Sequence, residues 1–464
     1  MNLEDTIGAI STPPGKGGIG IVRISGEKAL SVADQLFQGD IVPSQAKSHT
    51  VHYGTCISTQ TGEVIDEVLC IVMKKPHTYT REDIVEFQTH GSILLMQELL
   101  DAAFKLGVRP AEPGEFTLRA YLNGRLDLTK AEAVADLINA ETGWARKSAL
   151  THLLGKLQEK IKDIRQRLVN LFALYEAEID FYEEDIKLVN RQHSIQELKE
   201  ICNQIQQLIR TYTFGRLVRE GARVGIFGLV NVGKSSVFNA LLGTDRAIVH
   251  KEPGTTRDLV EGESTIGEIL CRLTDTAGFR EGVGEVEAEG LRRTIFAMRE
   301  TDLALMVLDT SNPKHDEEEK VYKEIVTQIG SAKKIIIVYN KIDLLPKHFI
   351  IRNHRFLDSS LSVPVSAVQG LGIDDLKEMV KNVLVKGGTS QTTGLIITNS
   401  RHYYLLVAVK KLVDRLIKGV EENHSGELLA LDFREIINHL GEITGETIGD
   451  TVLQQIFLKF CIGK

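Results

Sequence analysis

The apolar positions fall into three regimes along the chain. From residue 1 to about 120, short apolar runs alternate with Gly and Pro. Ile19–Ile24, Val68–Val72 and Ile84–Phe87 read as strands, and Ile93 to Leu106 reads as a helix that stops at Gly107. This predicts a small α+β domain. Near Asn123 the period changes. Thr129 followed by Glu132 is a capping-box pattern, and Ala131, Val134, Ala135 and Ile138 recur at helical spacing. Leu157, Ile161, Ile164, Leu168, Leu171, Phe172 and Ile179 mark a longer helix, and a third runs from about Ile195 to Ile209. Near Arg223 short apolar runs alternate with helices: Val224–Phe227, Ile269–Leu273, Leu303–Leu308, Ile335–Val338 and Val363–Val365. That order predicts a mostly parallel α/β sheet. Gly387–Gly394 reads as a linker, and helical periodicity resumes from about Asn399 to Phe460. The simplest organisation is an α/β domain inserted into a helical domain. The expected segments are 1–120, 121–218, 219–386 and 387–464.

Composition narrows this little. The 464 residues carry a formal net charge of −8, so a nucleic-acid partner needs local basic patches. Cys56, Cys70, Cys202, Cys271 and Cys461 form no metal-like spacing and fit a reducing compartment. The first residues, MNLEDTIGAISTPPGKGG, lack a basic then apolar signal. No apolar run reaches the ~18 residues of a membrane span. A cytoplasmic protein without membrane contact is expected.

The chemistry lies in the third regime. Gly228-Leu229-Val230-Asn231-Val232-Gly233-Lys234-Ser235, followed by Ser236, matches GxxxxGK[ST] between a strand and a helix. Backbone N–H groups of such a loop cradle phosphates, and the helix N-terminus adds positive potential. Lys234 is expected on the β- and γ-phosphates and Ser235 on Mg²⁺. Asp275-Thr276-Ala277-Gly278 ends the next strand; Asp275 is expected to reach Mg²⁺ through water, and the Gly278 N–H to meet the γ-phosphate. Asn340-Lys341-Ile342-Asp343 ends another strand. An Asp there accepts from guanine N1–H and N2–H₂, which adenine lacks, so the motif selects GTP over ATP. Ser366 and Ala367 complete the base pocket. Pro253-Gly254-Thr255-Thr256-Arg257-Asp258 lies where the first switch loop belongs; either threonine can meet Mg²⁺, and Thr256 is the expected ligand. These motifs in this order predict a Ras-like P-loop GTPase domain. One departure matters: Phe279 follows Gly278 where Ras has Gln, and phenylalanine cannot orient water.

The P-loop with Asn231, the stretch PGTTRD, Phe279 and the terminal Cys461-Ile462-Gly463-Lys464 resemble the MnmE (TrmE) family of tRNA-modifying GTPases. So do DTIGAISTPPGKGGIGIVRISG, TYTREDIVE and PGEFTLRAYLNGRLDLTKAEAVADLI. The resemblance covers essentially the whole chain. It implies an N-terminal domain that binds tetrahydrofolate and dimerises, a discontinuous helical domain, and G domains that pair in a potassium-dependent way. It implies a homodimer that joins the FAD-containing partner MnmG (GidA) in a heterotetramer or larger complex. That complex adds an aminomethyl or carboxymethylaminomethyl group to C5 of the wobble uridine of certain tRNAs, using a 5-formyl- or methylene-tetrahydrofolate.

Residue by residue, the resemblance places K⁺ on the Asn231 side chain, the backbone carbonyls of His250 and Glu252, and Thr255. It places the water-orienting role on Glu287. Val230 stands where Pro is common. The folate site is expected to use Arg23, Glu82, Arg125 (where the family has Lys) and Lys464. Cys461 is expected to be needed for modification, whereas the ordinary fate of a free cysteine is burial as a small hydrophobe. Arg146, Lys147, Lys156, Lys160, Lys162, Arg165 and Arg167 offer a tRNA-facing surface, but they fit better as the polar faces of amphipathic helices. The rival reading is a ribosome-assembly or signalling GTPase of the same potassium-dependent class.

Overall fold

In the computed structural model, the structure describes residues 5–180, 189–243, 249–250, 260–275, 292, 295–311, 325, 327, 334–345, 361–385 and 394–464. The chain is mixed helix and sheet, with α+β and α/β parts. It divides into two compact units: residues 1–138, 150–189 and 424–464, and residues 139–149 and 190–423.

The first unit is built on a sheet of β1 (Ile7–Ile10), β2 (Gly17–Ser25), β3 (Phe37–Gly39), β4 (Thr50–Ile57), β5 (Val64–Met73), β6 (Ile84–Gly91) and β7 (Arg109–Pro110). Their order is β3-β4-β5-β6-β2-β1-β7. All neighbours are antiparallel except β1 and β7. Alternation decides the faces: Val68, Cys70 and Val72 on β5, and Val85 and Phe87 on β6, point into one core. The helices Ala29–Leu36 and Ile93–Lys105 close that core with Val32, Leu36, Met96 and Leu99.

The helix Leu128–Ile138 begins one residue before Thr129. The Asp127 carboxylate accepts from the Lys130 N–H at 3.1 Å and from the Thr129 hydroxyl. Asp127, not Thr129, is therefore the cap, because a carboxylate at the first non-helical position reaches the free N–H groups directly. The helix Lys156–Asp180 buries Leu157, Ile161, Ile164, Leu168 and Leu171 as its spacing predicts, and packs on Gly426–Thr444. Phe172 stacks on Phe433 across that contact, and the Tyr175 ring meets the same side chain at a tilt of 43°.

The second unit carries β8 (Ala222–Phe227), β9 (Val249–His250), β10 (Val260–Ile266), β11 (Ile269–Asp275), β12 (Leu303–Asp309), β13 (Ile335–Asn340) and β14 (Ser362–Pro364). The order is β14-β13-β12-β8-β11-β10-β9. Strands β14 to β11 are parallel, whereas β10 and β9 are antiparallel additions. The continuous apolar runs of β12 and β13 are buried, as strands covered on both faces must be. Strand β10 escaped the pattern because Glu261, Gly262, Glu263 and Ser264 interrupt its hydrophobicity. Helix Arg191–Glu220 runs eleven residues past the predicted Ile209 and pairs with Ser400–Glu421, where Tyr212 stacks on Tyr403 at 4.1 Å. Among the described residues no helix is long and apolar enough to cross a membrane.

Candidate functional site

The first constellation sits at the C-terminal ends of β8, β11, β12 and β13, where parallel strands deliver side chains to one edge. Gly233 adopts φ +94°, and a Cβ there would stand 2.2 Å from Asn340 Nδ2, so only glycine fits. Asn231 also lies in the left-handed region, at φ 69°. The loop delivers Lys234 to the start of helix Lys234–Leu242. Lys234 is only 8% exposed, and its ammonium donates to the Leu229 carbonyl at 2.8 Å. Burial pulls its pKa below the ordinary value, against the opposing pull of the Asp275 carboxylate. Ser235 Oγ donates to Asp275 Oδ2 at 2.7 Å. Asp275 Oδ1 is buried and has no hydrogen-bond partner among the described residues.

Asn340 ties the loop to the far wall. Its Nδ2 donates to the Val232 carbonyl at 2.9 Å, and its Oδ1 accepts from the Ala367 N–H at 3.1 Å. Lys341, at φ 66°, donates to the Asn231 carbonyl at 2.7 Å and pairs with Asp309 at 2.5 Å. Burial alone would raise the Asp309 carboxyl. Bonds from Lys341 and Ser311 outweigh it and hold the pKa below the ordinary value. Asp343 sits on the single turn Ile342–Leu344, exposed, and its carboxylate has no hydrogen-bond partner among the described residues. Ser366 is buried and closes a turn by paired bonds with Leu371. The structure thus brings together Asn231, Val232, Gly233, Lys234, Ser235, Asp275, Asn340, Lys341 and Ala367. Ser236 follows on the same helix, partly buried. His250 is on β9 opposite Glu261. Glu252, Thr255, Thr256, Thr276, Ala277, Gly278 and Glu287 lie outside the described residues. Sequence reading missed Asp309; its only signal was a carboxylate ending an apolar strand.

The second constellation lies in the first unit. Arg23 Nε pairs with Glu86 at 2.6 Å, and its Nη1 donates to the Gly463 carbonyl at 3.3 Å. Ser11 Oγ donates to the same carbonyl at 3.2 Å, and Gly114 N–H donates to the Cys461 carbonyl at 3.3 Å. Gly463 has φ +91°, and a Cβ there would meet the Ile10 carbonyl at 2.5 Å. The terminal residues therefore dock on β1 and β2, with Lys464 partly exposed at their end. Glu82 is held by Ser25 Oγ at 2.7 Å and Arg119 Nη1 at 3.1 Å. Tyr79 has Arg125 over its ring at 4.7 Å and Arg23 at 5.9 Å.

Arg119 was invisible to the sequence reading, yet it is 1% exposed and binds Asp5, Glu82 and Glu115. Glu115 is buried, which alone would raise its carboxyl; Arg109, the Glu112 N–H and Arg119 outweigh this and lower it. Cys56, Cys70 and Cys271 are buried, and burial pushes the latter two thiols up to about 12. Cys461 is the exposed cysteine. Of the basic helix residues, Arg165 pairs with Glu446 at 3.0 Å and Lys156 with Glu159 at 3.0 Å.

Residues 6–125 match the family described as GTP-binding protein TrmE N-terminus, and residues 128–461 match the family described as MnmE helical domain. The chain is similar to a tRNA modification GTPase MnmE of Acetivibrio thermocellus, 40% identical over 464 residues and covering 100% of both chains. It is similar to that of Thermoanaerobacter pseudethanolicus, 42% identical and covering 99% of each. Among solved structures, the G domain of the T. maritima FeoB iron transporter is 27% identical, covers 35% of this chain and 98% of that chain, and has a TM-score of 0.27.

Proposed function

The chain belongs to the MnmE (TrmE) family of tRNA-modification GTPases, and on that premise we propose the finer reading: a potassium-stimulated GTPase that works with MnmG and a tetrahydrofolate. GTP hydrolysis is its reaction, and tRNA modification is the process served.

In this reading the loop Gly228–Ser235 binds the phosphates. Lys234 is held in a desolvated place with a neutral carbonyl as its near partner. A phosphate would restore the favourable surroundings that burial removes, so binding energy concentrates on that ammonium. For Mg²⁺ the donor set fits: an exposed Ser235 hydroxyl lies beside a carboxylate whose second oxygen, Asp275 Oδ1, is buried without a partner. Ser235 and Thr256 would hold the ion directly and Asp275 through water; the ion would neutralise phosphate charge. Asp343 would read guanine, supported by its exposure and by a carboxylate with no hydrogen-bond partner among the described residues. Ser366 and Ala367 would close the base pocket. K⁺ would take Asn231, His250, Glu252 and Thr255, and Glu287 would orient the water.

The folate would lie at Arg23, Glu82, Arg125 and Lys464. What supports this most is the docking of the terminal tail: Arg23 donates to the carbonyl immediately before Lys464. A carboxylate acceptor and several cations suit a pterin edge and a glutamate tail. Folate would supply the one-carbon unit. The exposed Cys461 would act beside it. Segments 1–120 and 219–386 would serve as the folate-binding, dimerising domain and the G domain of a homodimer.

The test is mass spectrometry of wobble-uridine nucleosides from cells lacking this protein. Complementation with the wild-type chain should restore the C5 side chain, while Asp343→Asn and Cys461→Ser should not. A wild-type chain that hydrolyses GTP yet leaves the nucleosides unchanged would turn the reading to an assembly GTPase.

A further inference from the structure

The first unit contains an open cavity of about 460 Å³ near β4, β5 and the loop before β6. Its wall includes Arg81, Arg125, His49, His77, Tyr79 and Met73, and none of the described residues lining it is acidic. The two arginines differ from the others nearby. Arg23, Arg109 and Arg119 are each paired with carboxylates. Arg81 instead donates to the Asn123 carbonyl at 2.8 Å and Arg125 to the Tyr79 carbonyl at 3.2 Å. Neither has a carboxylate partner among the described residues. Among the described residues each keeps several guanidinium donors unused, in a geometry that matches carboxylates two hydrogen bonds at a time.

Tyr79 connects this cavity to the proposed folate residues. Arg23 approaches its ring, Arg125 covers it, and both Tyr79 and Arg125 line the cavity. We propose that the cavity binds the γ-linked polyglutamate tail of a folate, selecting polyglutamylated over monoglutamylated forms. This rests on the folate reading above. A ligand held at Arg23 and Glu82 that continues past Tyr79 and Arg125 enters a space where Arg81 stands without a carboxylate partner among the described residues. Met73 and the Tyr79 ring provide apolar surface for the methylenes between them. A concave wall of this size suits a thin chain with closely spaced charges. An RNA backbone tracked over several nucleotides needs a longer cationic groove than this one cavity offers.

The test is titration calorimetry on the full chain with 5-formyltetrahydrofolate as monoglutamate and as tri-γ-glutamate. The wild type should bind the triglutamate at least about tenfold tighter, a preference that shrinks as salt rises. Arg81→Gln should bring the two ligands to near-equal affinity while monoglutamate binding stays unchanged, which also reports intact folding. If Arg81→Gln loses both, His77→Gln gives the same comparison from a side chain with no other hydrogen bond among the described residues. Equal affinities in the wild type overturn the tail site while leaving the folate reading standing. A preference untouched by either variant also overturns it. Binding of neither form to the wild type sinks the folate reading and the tail site together.

Discussion

Two buried cations, Arg119 in the first unit and Lys234 in the second, meet opposite surroundings. Arg119 lies among Asp5, Glu82 and Glu115, and Arg109 pairs with two of the same carboxylates. Charge answers charge there, and the pKa values of Asp5 and Glu115 fall despite the upward push of burial. Lys234 instead has a backbone carbonyl, and its pKa falls because burial disfavours the ion. Nearby, one oxygen of Asp275 is left unpaired. A network that pairs its own charges, even with the Arg119 Nε–H left unbonded, is architecture. A buried charge answered by a neutral group has room for an outside partner to improve it.

Replacing Arg119 with Met should have the largest effect. It leaves Glu82 without its cation and Asp5 and the buried Glu115 with Arg109 alone, and should cost about 3–5 kcal/mol of stability, read as a lowered thermal unfolding midpoint of the full chain. A change well under 1 kcal/mol would place the pairing energy elsewhere. Lys234→Ala should invert the result. GTP turnover should fall by at least about 100-fold, with the unfolding midpoint nearly unchanged, because no ion pair is broken. A stability loss as large as that of Arg119→Met would erase the distinction between the two sites.

Acid sharpens the contrast more gently. The Glu115 pKa is lowered from 4.5, so its contribution is fully present above that pH and is lost as pH falls through the lower folded value. The depressed lysine has a different window: its folded form gains stability only as pH rises toward 10.5. Hydrogen exchange below pH 4.5, corrected for intrinsic rate, should show helix Glu115–Leu122 losing protection before β8 does. Simultaneous loss would argue against a local acid-sensitive network.

The nucleotide motifs were legible because their chemistry is local. Strand, Gly-rich turn and helix follow one another within about twenty residues, so Gly233, Lys234 and Ser235 need no distant information. Asp309 was missed because its role depends on the register between β12 and β13, which sets it opposite Asn340. The Thr129 cap was misread by two positions because Asp127 and Thr129 both suit a helix start, and only the backbone decides which faces the free N–H groups. Strand β10 was missed because pairing with β11 outweighs its polar composition.

Periodicity and motif spacing alone determined the existence of several of the longer helices, the central parallel strands and the order of the phosphate and guanine groups. These are properties of neighbours in the chain, where bond geometry keeps the relevant atoms close. Only tertiary structure decided that residue 463 meets residue 23, that Arg119 joins three carboxylates, and that Arg81 and Arg125 face a cavity with no acid of their own. Those relations join residues up to 440 positions apart. They follow from packing and desolvation, which depend on the whole surroundings of a side chain.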